Sequence, residues 1–286
     1  VDMVRDLIRD RQFYQSQVEQ ELTKSTSGEQ TIAAPILVVP YQLVEGKTRT
    51  EQPLIVLPEQ LTIDGQVQVS PLKRAIYTFQ TFQSTTALTG HFSRAPLQAL
   101  RAKKGVTLGT PFLAVGVSDA RGLGKSEPFT WAGKRYTFSA GTQLHALPNG
   151  MHAALPLSDW DIAGSAPLNF SIQLNVNGSS RISYVPLGEN TQVTLAGNWP
   201  HPKFAGSTVT QTRNVMPQGF NASWQSNWFA NNLNTTLPSI ENSTANGGNG
   251  SIEQLYRIDT DLIQTVDHYQ LNERMAKYSM LFIGLT

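Results

Sequence analysis

The chain has 286 residues, 40% of them hydrophobic, with 22 Lys plus Arg against 21 Asp plus Glu and a formal net charge of +1. That balance excludes a basic field for nucleic acid, and the lack of any cysteine excludes disulfides, thiolate metal sites and a cysteine nucleophile. Only 15% of residues are charged, so Thr, Ser, Asn and Gln must cover much of the surface, which suits strands with one solvated face better than exposed helices.

In chain order, "VDMVRDLIRDRQFYQSQVEQEL" places Val1, Val4, Ile8, Val18 and Leu22 on one helical stripe and predicts a helix over residues 2–24, ended by Gly28 and small polar residues. From residue 32 the texture turns to strands. "IAAPILVVPYQLV", "QPLIVLPEQLTIDGQVQV" and "RAIYTFQTFQSTTALTGHF" are β-branched or aromatic runs punctuated by Pro and Gly. "FTWAGKRYTF" predicts a hairpin turning at Gly133, and "SIQLNVNGSSRISYV" a second one turning at Asn177–Gly178. "TTALTGHF" (85–92), followed by "PFLAVGVS", echoes "QVTLAGNW" (192–199), followed by "GFNASW". That echo suggests an internal duplication. The stretch 231–251, rich in Asn, Gly, Ser and Thr, reads as a long mobile loop. Beyond it Asp267 can cap a helix carrying Leu271, Met275, Tyr278 and Leu281.

The last residues, "MLFIGLT", are too few to cross a bilayer, which needs about 20 apolar residues, but they can open a helix that does. Arg274 and Lys277 lie one turn earlier, where long cations snorkel, and Tyr278 suits the interface, so these three are expected to be membrane-proximal. Helices open at both ends suggest a domain lying between two membrane spans.

Five blocks, "STSGEQTIAAPILVVPY", "SDARGLG", "NWPHPKF", "GFNASWQSNWFANNL" and "VDHYQLNERMAKYSMLFIGLT", taken in that order over residues 25–286, resemble the CreD family of inner-membrane proteins. The chain departs from the family's habit at Ala34, where Gly tends to precede the Pro, and at Thr208–Val209–Thr210, where an apolar-Pro step is usual. The resemblance implies one N-terminal span, a large periplasmic domain and several C-terminal spans, with this chain as the periplasmic domain. It further implies a link to cell-envelope integrity and to a stress response that includes β-lactams and colicin tolerance. It supplies no reaction, ligand or catalytic residue.

The expected fold is therefore mainly β, an antiparallel β-sandwich-type domain with flanking helices that lead to membrane spans. The expected division is an N-terminal helix (1–28), one β lobe (29–146), a related second β lobe (147–250) that includes the loop 231–251, and a C-terminal strand or helix (251–286). The expected role is binding or scaffolding rather than catalysis, with the lipid bilayer as partner through the spans, and envelope proteins or peptidoglycan as further partners. No nucleic acid, cofactor or metal is expected.

Within that frame, Trp199, His201, Phe204, Phe220, Trp224 and Trp228 form a candidate binding groove, because indole and phenyl faces stack on sugar rings, although core packing is the commoner use of such rings. Asp119 and Arg121 are a candidate structural corner, closing a turn before Gly122. His145 and His152 are seven apart across Pro148–Asn149–Gly150 and could converge, without matching any metal-ligand spacing. Two alternatives stay open. One is an envelope hydrolase acting on a glycan or β-lactam-like substrate through Asp119, Asp159 or Asp161. The other is an extracytoplasmic sensor whose ligand enters an apolar pocket between the lobes.

Overall fold

The computed structural model describes residues 27–74, 77–159 and 162–263. The helices expected at 2–24 and after Asp267, with Arg274, Lys277 and Tyr278, lie outside the described residues, as do Trp160 and Asp161. Among the described residues, no helix is long and apolar enough to cross a membrane.

Among the described residues seventeen strands follow one another: β1 (Gln30–Glu45), β2 (Thr48–Val56), β3 (Gln60–Arg74), β4 (Tyr77–Phe92), β5 (Val106–Leu108), β6 (Phe112–Val117), β7 (Phe129–Trp131), β8 (Lys134–Tyr136) and β9 (Ser139–Ala140) in the first half. The second half carries β10 (Gly150–Ala154), β11 (Leu168–Ser179), β12 (Arg181–Tyr184), β13 (Asn190–Gly197), β14 (Lys203–Gly206), β15 (Thr212–Met216), β16 (Gly219–Asn227) and β17 (Ile258–Asp261). Three α-helices accompany them among the described residues, α1 (Ala95–Ala102), α2 (Trp228–Asn231) and α3 (Leu233–Ala245).

The strands form two mixed sheets. One runs β14-β17-β12-β1-β6-β10-β9 with β2 and β5 added along β1, and the other runs β15-β16-β13-β3-β4-β11-β7-β8. Most pairs are antiparallel, as expected, but β1 with β12 and β3 with β13 are parallel. The expected lobes 29–146 and 147–250 are not the units of this architecture, because each sheet draws strands from both halves. Nor does the echo mark a repeat. The strands holding 85–92 and 192–199 flank the same neighbour, β3, while the segments that follow them fall in different sheets.

Local sequence explains the two kinds of strand. In β11 the apolar residues Leu168, Phe170, Ile172, Leu174 and Val176 are buried and alternate with outward Asn, Ser and Gln, the period-two pattern of a strand with one wet face. Each such side chain, once buried, contributes about 1.5–3 kcal/mol over its exposed state. The first ten residues of β1 are buried on both faces instead, which fits a central strand whose residues from Ile32 to Val39 are an unbroken apolar run. A register shift between Ala33 and Ile36 bends β1 against β6, where the Ala34–Pro35 peptide is cis.

The hairpin at Gly133 forms as expected, joining β7 to β8 with Ala132 and Gly133 both at positive φ. The one expected at Asn177–Gly178 does not. Those residues continue β11, and the chain leaves the eight-stranded sheet only at Ser180 (φ 65°) to enter β12 in the other sheet. Gly178 serves close approach rather than a turn, since a Cβ there would lie 2.4 Å from the Phe82 ring. A second contact of this kind locks the two sheets together. The buried Tyr184 hydroxyl of β12 hydrogen-bonds Thr86 Oγ1 of β4 at 2.9 Å and fills the notch left by Gly65 of β3.

The mobile loop expected at 231–251 is mostly helix. Leu233, Leu237 and Glu241 recur every four residues along α3 and are buried, so tertiary packing overrides a composition with poor helix propensity. The entry is fixed by side chains: Asn227 Oδ1 accepts from Ala230 N–H, and the buried Asn231 accepts from Leu233 N–H while donating to Pro186 O and Ser226 Oγ.

Candidate functional site

The first half of β1 is walled by β12 and β6, and its second half by β2 and β5. That outer half forms one side of a cavity of about 640 Å³, within the range of small-ligand sites. Val38, Pro40, Pro53, Leu108, Phe112 and Leu144 make its apolar wall. Glu241, Asn242 and Ala245 from the last turns of α3 close it opposite the strands, with Gln143–His145 from the loop after β9.

The polar centre of this site is Glu241, whose side chain is 4% exposed. Its Oε1 accepts the His145 backbone N–H (2.9 Å) and faces His145 Nδ1 (3.0 Å), and its Oε2 accepts the Ala146 N–H (2.7 Å). A buried carboxylate is tolerable only with such a set of donors. One side chain thus pins α3 to the loop and orients the imidazole. With Nδ1–H given to the carboxylate, Nε2 of the neutral ring is a hydrogen-bond acceptor, and among the described residues it has no protein partner. His145 is 64% exposed at the side chain, so Nε2 is open to a ligand.

His152 does not converge with His145 on a metal. Its Nδ1 meets Gly141 O at 2.6 Å and its Nε2 meets Gln143 Nε2 at 2.7 Å, so it orients Gln143, which itself lines the cavity. On the rim, Tyr41 donates to Gln52 Oε1 and Gln42 donates to Glu51 Oε1. Sequence reasoning missed Glu241 because it sits in the polar stretch taken for a loop. The available signal was that it is the single charged residue between 231 and 251, in step with Leu233 and Leu237.

Asp119 and Arg121 lie together, away from this cavity. Arg121 Nε and Nη2 clasp the Asp119 carboxylate at 2.9 and 2.6 Å, and the same carboxylate accepts from the Arg121 and Gly28 backbone N–H groups. The Arg121 hydrogen bond, ahead of those backbone donors, holds Asp119 below the ordinary carboxylate range. Gln30 Nε2 reaches both Asp119 O and Asn177 O, so the corner joins the start of β1 to the end of β11. Asp159 is bound elsewhere, to Lys134 Nζ and Tyr136 hydroxyl, each at 3.1 Å. Its Lys134 partner keeps its own acidity high, while burial and then Asp159 push the Tyr136 phenol up to about 12. The two aspartates are thus committed to separate loops.

The six aromatic and His positions do not share one cavity face. Phe220 and Trp224 are buried, and Phe204 packs edge-on against both, with ring centres 5.8 and 5.5 Å away. Trp199 packs partly buried against the core with His201 at its edge, 6.2 Å between ring centres. Trp228 donates its indole N–H to Leu187 O at 2.9 Å. The neighbouring Phe229 is 94% exposed.

At the opposite end of β1 the two described extremities of the fold meet. Ser179 N–H donates to Gly28 O and Leu262 N–H to Ser180 O, so both segments dock on the β11–β12 connection. Arg181 sits between them, its Nε 2.5 Å from Asp261 Oδ1 and its Nη1 3.4 Å from Glu29 Oε2. The meeting follows from topology: β12 runs parallel to β1 and antiparallel to β17, so β1 starts where β17 ends.

Comparison with known proteins agrees with the block pattern read from the sequence. The family model described as "Inner membrane protein CreD" matches residues 1–286. The inner membrane protein CreD of Escherichia coli (strain K12) is 35% identical over 292 residues, which cover 99% of this chain and 62% of that protein, so the chain spans less than two thirds of its relative's length. Among solved structures, an M1 zinc metallopeptidase variant from Deinococcus radiodurans bound to a substrate matches with a TM-score of 0.29 at 10% identity, over 59% of this chain and 39% of that one. Another structure of that metallopeptidase matches with a TM-score of 0.27 at 8% identity, over 59% and 38%. Likenesses that low carry no argument. The whole-chain match and the level of identity do, and the chain belongs to the CreD family of inner membrane proteins.

Proposed function

We propose that the described β-rich body is a periplasmic domain tethered to the inner membrane, serving envelope integrity and the response to envelope and β-lactam stress by binding or scaffolding. The observation that carries this reading is the convergence of residues 27–29 and 261–262 on Arg181. Segments that leave a domain side by side can enter one bilayer together, whereas segments leaving from opposite poles could not do so without long linkers. On this reading the Arg181 pole faces lipid, the two sheets are stacked layers, the nine-stranded one carries the cavity toward the other end of β1, and envelope proteins or peptidoglycan approach from the periplasm. Binding rather than catalysis is favoured by the commitment of Asp119 and Asp159 to separate ion pairs.

One strain tests both parts. The described residue most open to solvent among the large apolar ones is Phe229, and the chain has no cysteine, so Phe229→Cys in the full-length protein gives a single reporter in this domain. Cells carrying it in place of the natural gene should label with a membrane-impermeant maleimide while the inner membrane is intact. They should also withstand detergent and β-lactam challenge better than a null strain. Labelling only after lysis of the inner membrane would refute the periplasmic placement, and identical survival of the null strain would refute the envelope role.

A further inference from the structure

We propose that the cavity between the outer half of β1 and the end of α3 is a binding site for an organic cation, a small amphiphile with an apolar body and an ammonium head. The inference rests on the binding role proposed above and adds the chemical class of the ligand. The wall from Val38 to Leu144 supplies a dry surface for a hydrocarbon or aromatic body. The charge of the lining sets the head: among the described residues it includes the carboxylates of Glu51 and Glu241 and no Lys or Arg.

The remaining hydrogen-bonding capacity includes acceptors for such a head. His145 gives Nδ1 to Glu241 and leaves the Nε2 lone pair. Gln143 gives one amide N–H to His152 and leaves its Oε1. Gln42 gives one amide N–H to Glu51, leaving its own Oε1 and the second Glu51 oxygen. The N–H groups left on Gln42, Gln52, Gln143 and Asn242 are neutral donors, so the sign of the charge decides. A rim whose charged atoms are carboxylate oxygens receives an ammonium head and leaves a carboxylate or phosphate head facing like charge. Glu241 contributes field rather than a free oxygen, because its three N–H partners already occupy it.

The test is calorimetric titration of the 286-residue chain, in detergent-free buffer near pH 7, with octylammonium, octanol and octanoate, each below its aggregation concentration. The three share one tail and differ only in the head. Octylammonium should bind about tenfold or more tighter than octanoate, with octanol between them. Glu51→Gln, a change at an exposed side chain, should lower octylammonium affinity roughly threefold to tenfold and leave octanol unchanged. Leu108→Trp, which fills the cavity, should remove binding of all three while the circular dichroism of the chain stays the same.

Equal or tighter binding of octanoate overturns the proposal, as does an ammonium preference that survives Glu51→Gln intact. Binding of no probe, or binding that survives Leu108→Trp, overturns it too. None of these results bears on the labelling experiment, so the ligand class can fail while the tethered periplasmic domain stands.

Discussion

Glu241 is where a single substitution should do most to separate the fold from its cavity. α3 has 13 residues, an interior proline at 238 and only two buried apolar anchors, Leu233 and Leu237. A free helix of that length and composition does not persist in water, so its order depends on tertiary contacts. Glu241→Ala removes the acceptor for three N–H donors and leaves the buried Ala146 N–H with no partner. Hydrogen bonds to a charged acceptor are worth about 1.5–3 kcal/mol each. The His145 ring is mostly exposed and adds little, and relief of burying the carboxylate offsets part of the loss. The net cost should be about 2–4 kcal/mol, and Glu241→Gln, which keeps one acceptor oxygen, should lose about half of that. Urea unfolding followed by tryptophan fluorescence gives the global figure, and amide exchange over residues 233–245 gives the local one. Exchange should quicken first along α3, because the helix is the element freed. A loss below about 0.5 kcal/mol, or unchanged exchange along α3, would show that Leu233 and Leu237 hold the helix unaided and that the carboxylate is not its clip.

Three further outcomes are expected. Arg181→Met strands Asp261, which is 4% exposed, and should cost about 2–3 kcal/mol in denaturant unfolding, less than for a fully buried pair because the Arg181 side chain is 30% exposed; adding Asp261→Asn should restore part of it. Asp119 has a lowered pKa in the folded chain, so its contribution is present above the ordinary value of 3.8 and lost as pH falls through the folded value; Asp119→Asn should flatten the fall of the thermal midpoint measured between about pH 4 and pH 2.5. Gly65→Ala puts a methyl 2.5 Å from the Tyr184 hydroxyl and should cost about 1–3 kcal/mol. Tyr184→Phe alone should cost about 1 kcal/mol, and the double variant should be less destabilised than the two single losses together, read from a denaturation cycle.

What the sequence revealed and what it hid follow from the range of the interactions. Strand character was legible because β11 alternates apolar and polar residues and β1 carries an apolar run from Ile32 to Val39, both local patterns. The hairpin at Gly133 was legible because Ala132–Gly133 must adopt positive φ within two residues. Gly178 misled because a strand glycine needed to clear the Phe82 ring carries the same letter as a turn glycine. The division into lobes failed because a chain that alternates between sheets leaves no mark in composition at the point of crossing. α3 was hidden for a related reason: its helix depends on the contact of Glu241 with residues 145 and 146, nearly a hundred positions away, and not on the helix propensity of its own stretch. For the candidate site, His145 was visible as a residue but not as a member of a pair, since its partner stood in a segment read as loop. Phe220 and Trp224 were visible as aromatics, and only burial assigns them to the interior.

β1 has one more consequence. It runs from beside the Arg181 pair to the cavity wall at Val38–Gln42, about 25–40 Å at the usual rise for an extended chain. One continuous beam therefore forms both the cavity floor and the doorstep of the fold. A guest that pushes on Val38 and Pro40 loads the same strand that hydrogen-bonds beside Ser27 and Glu29, with only the bend at Ala33–Ile36 between push and response.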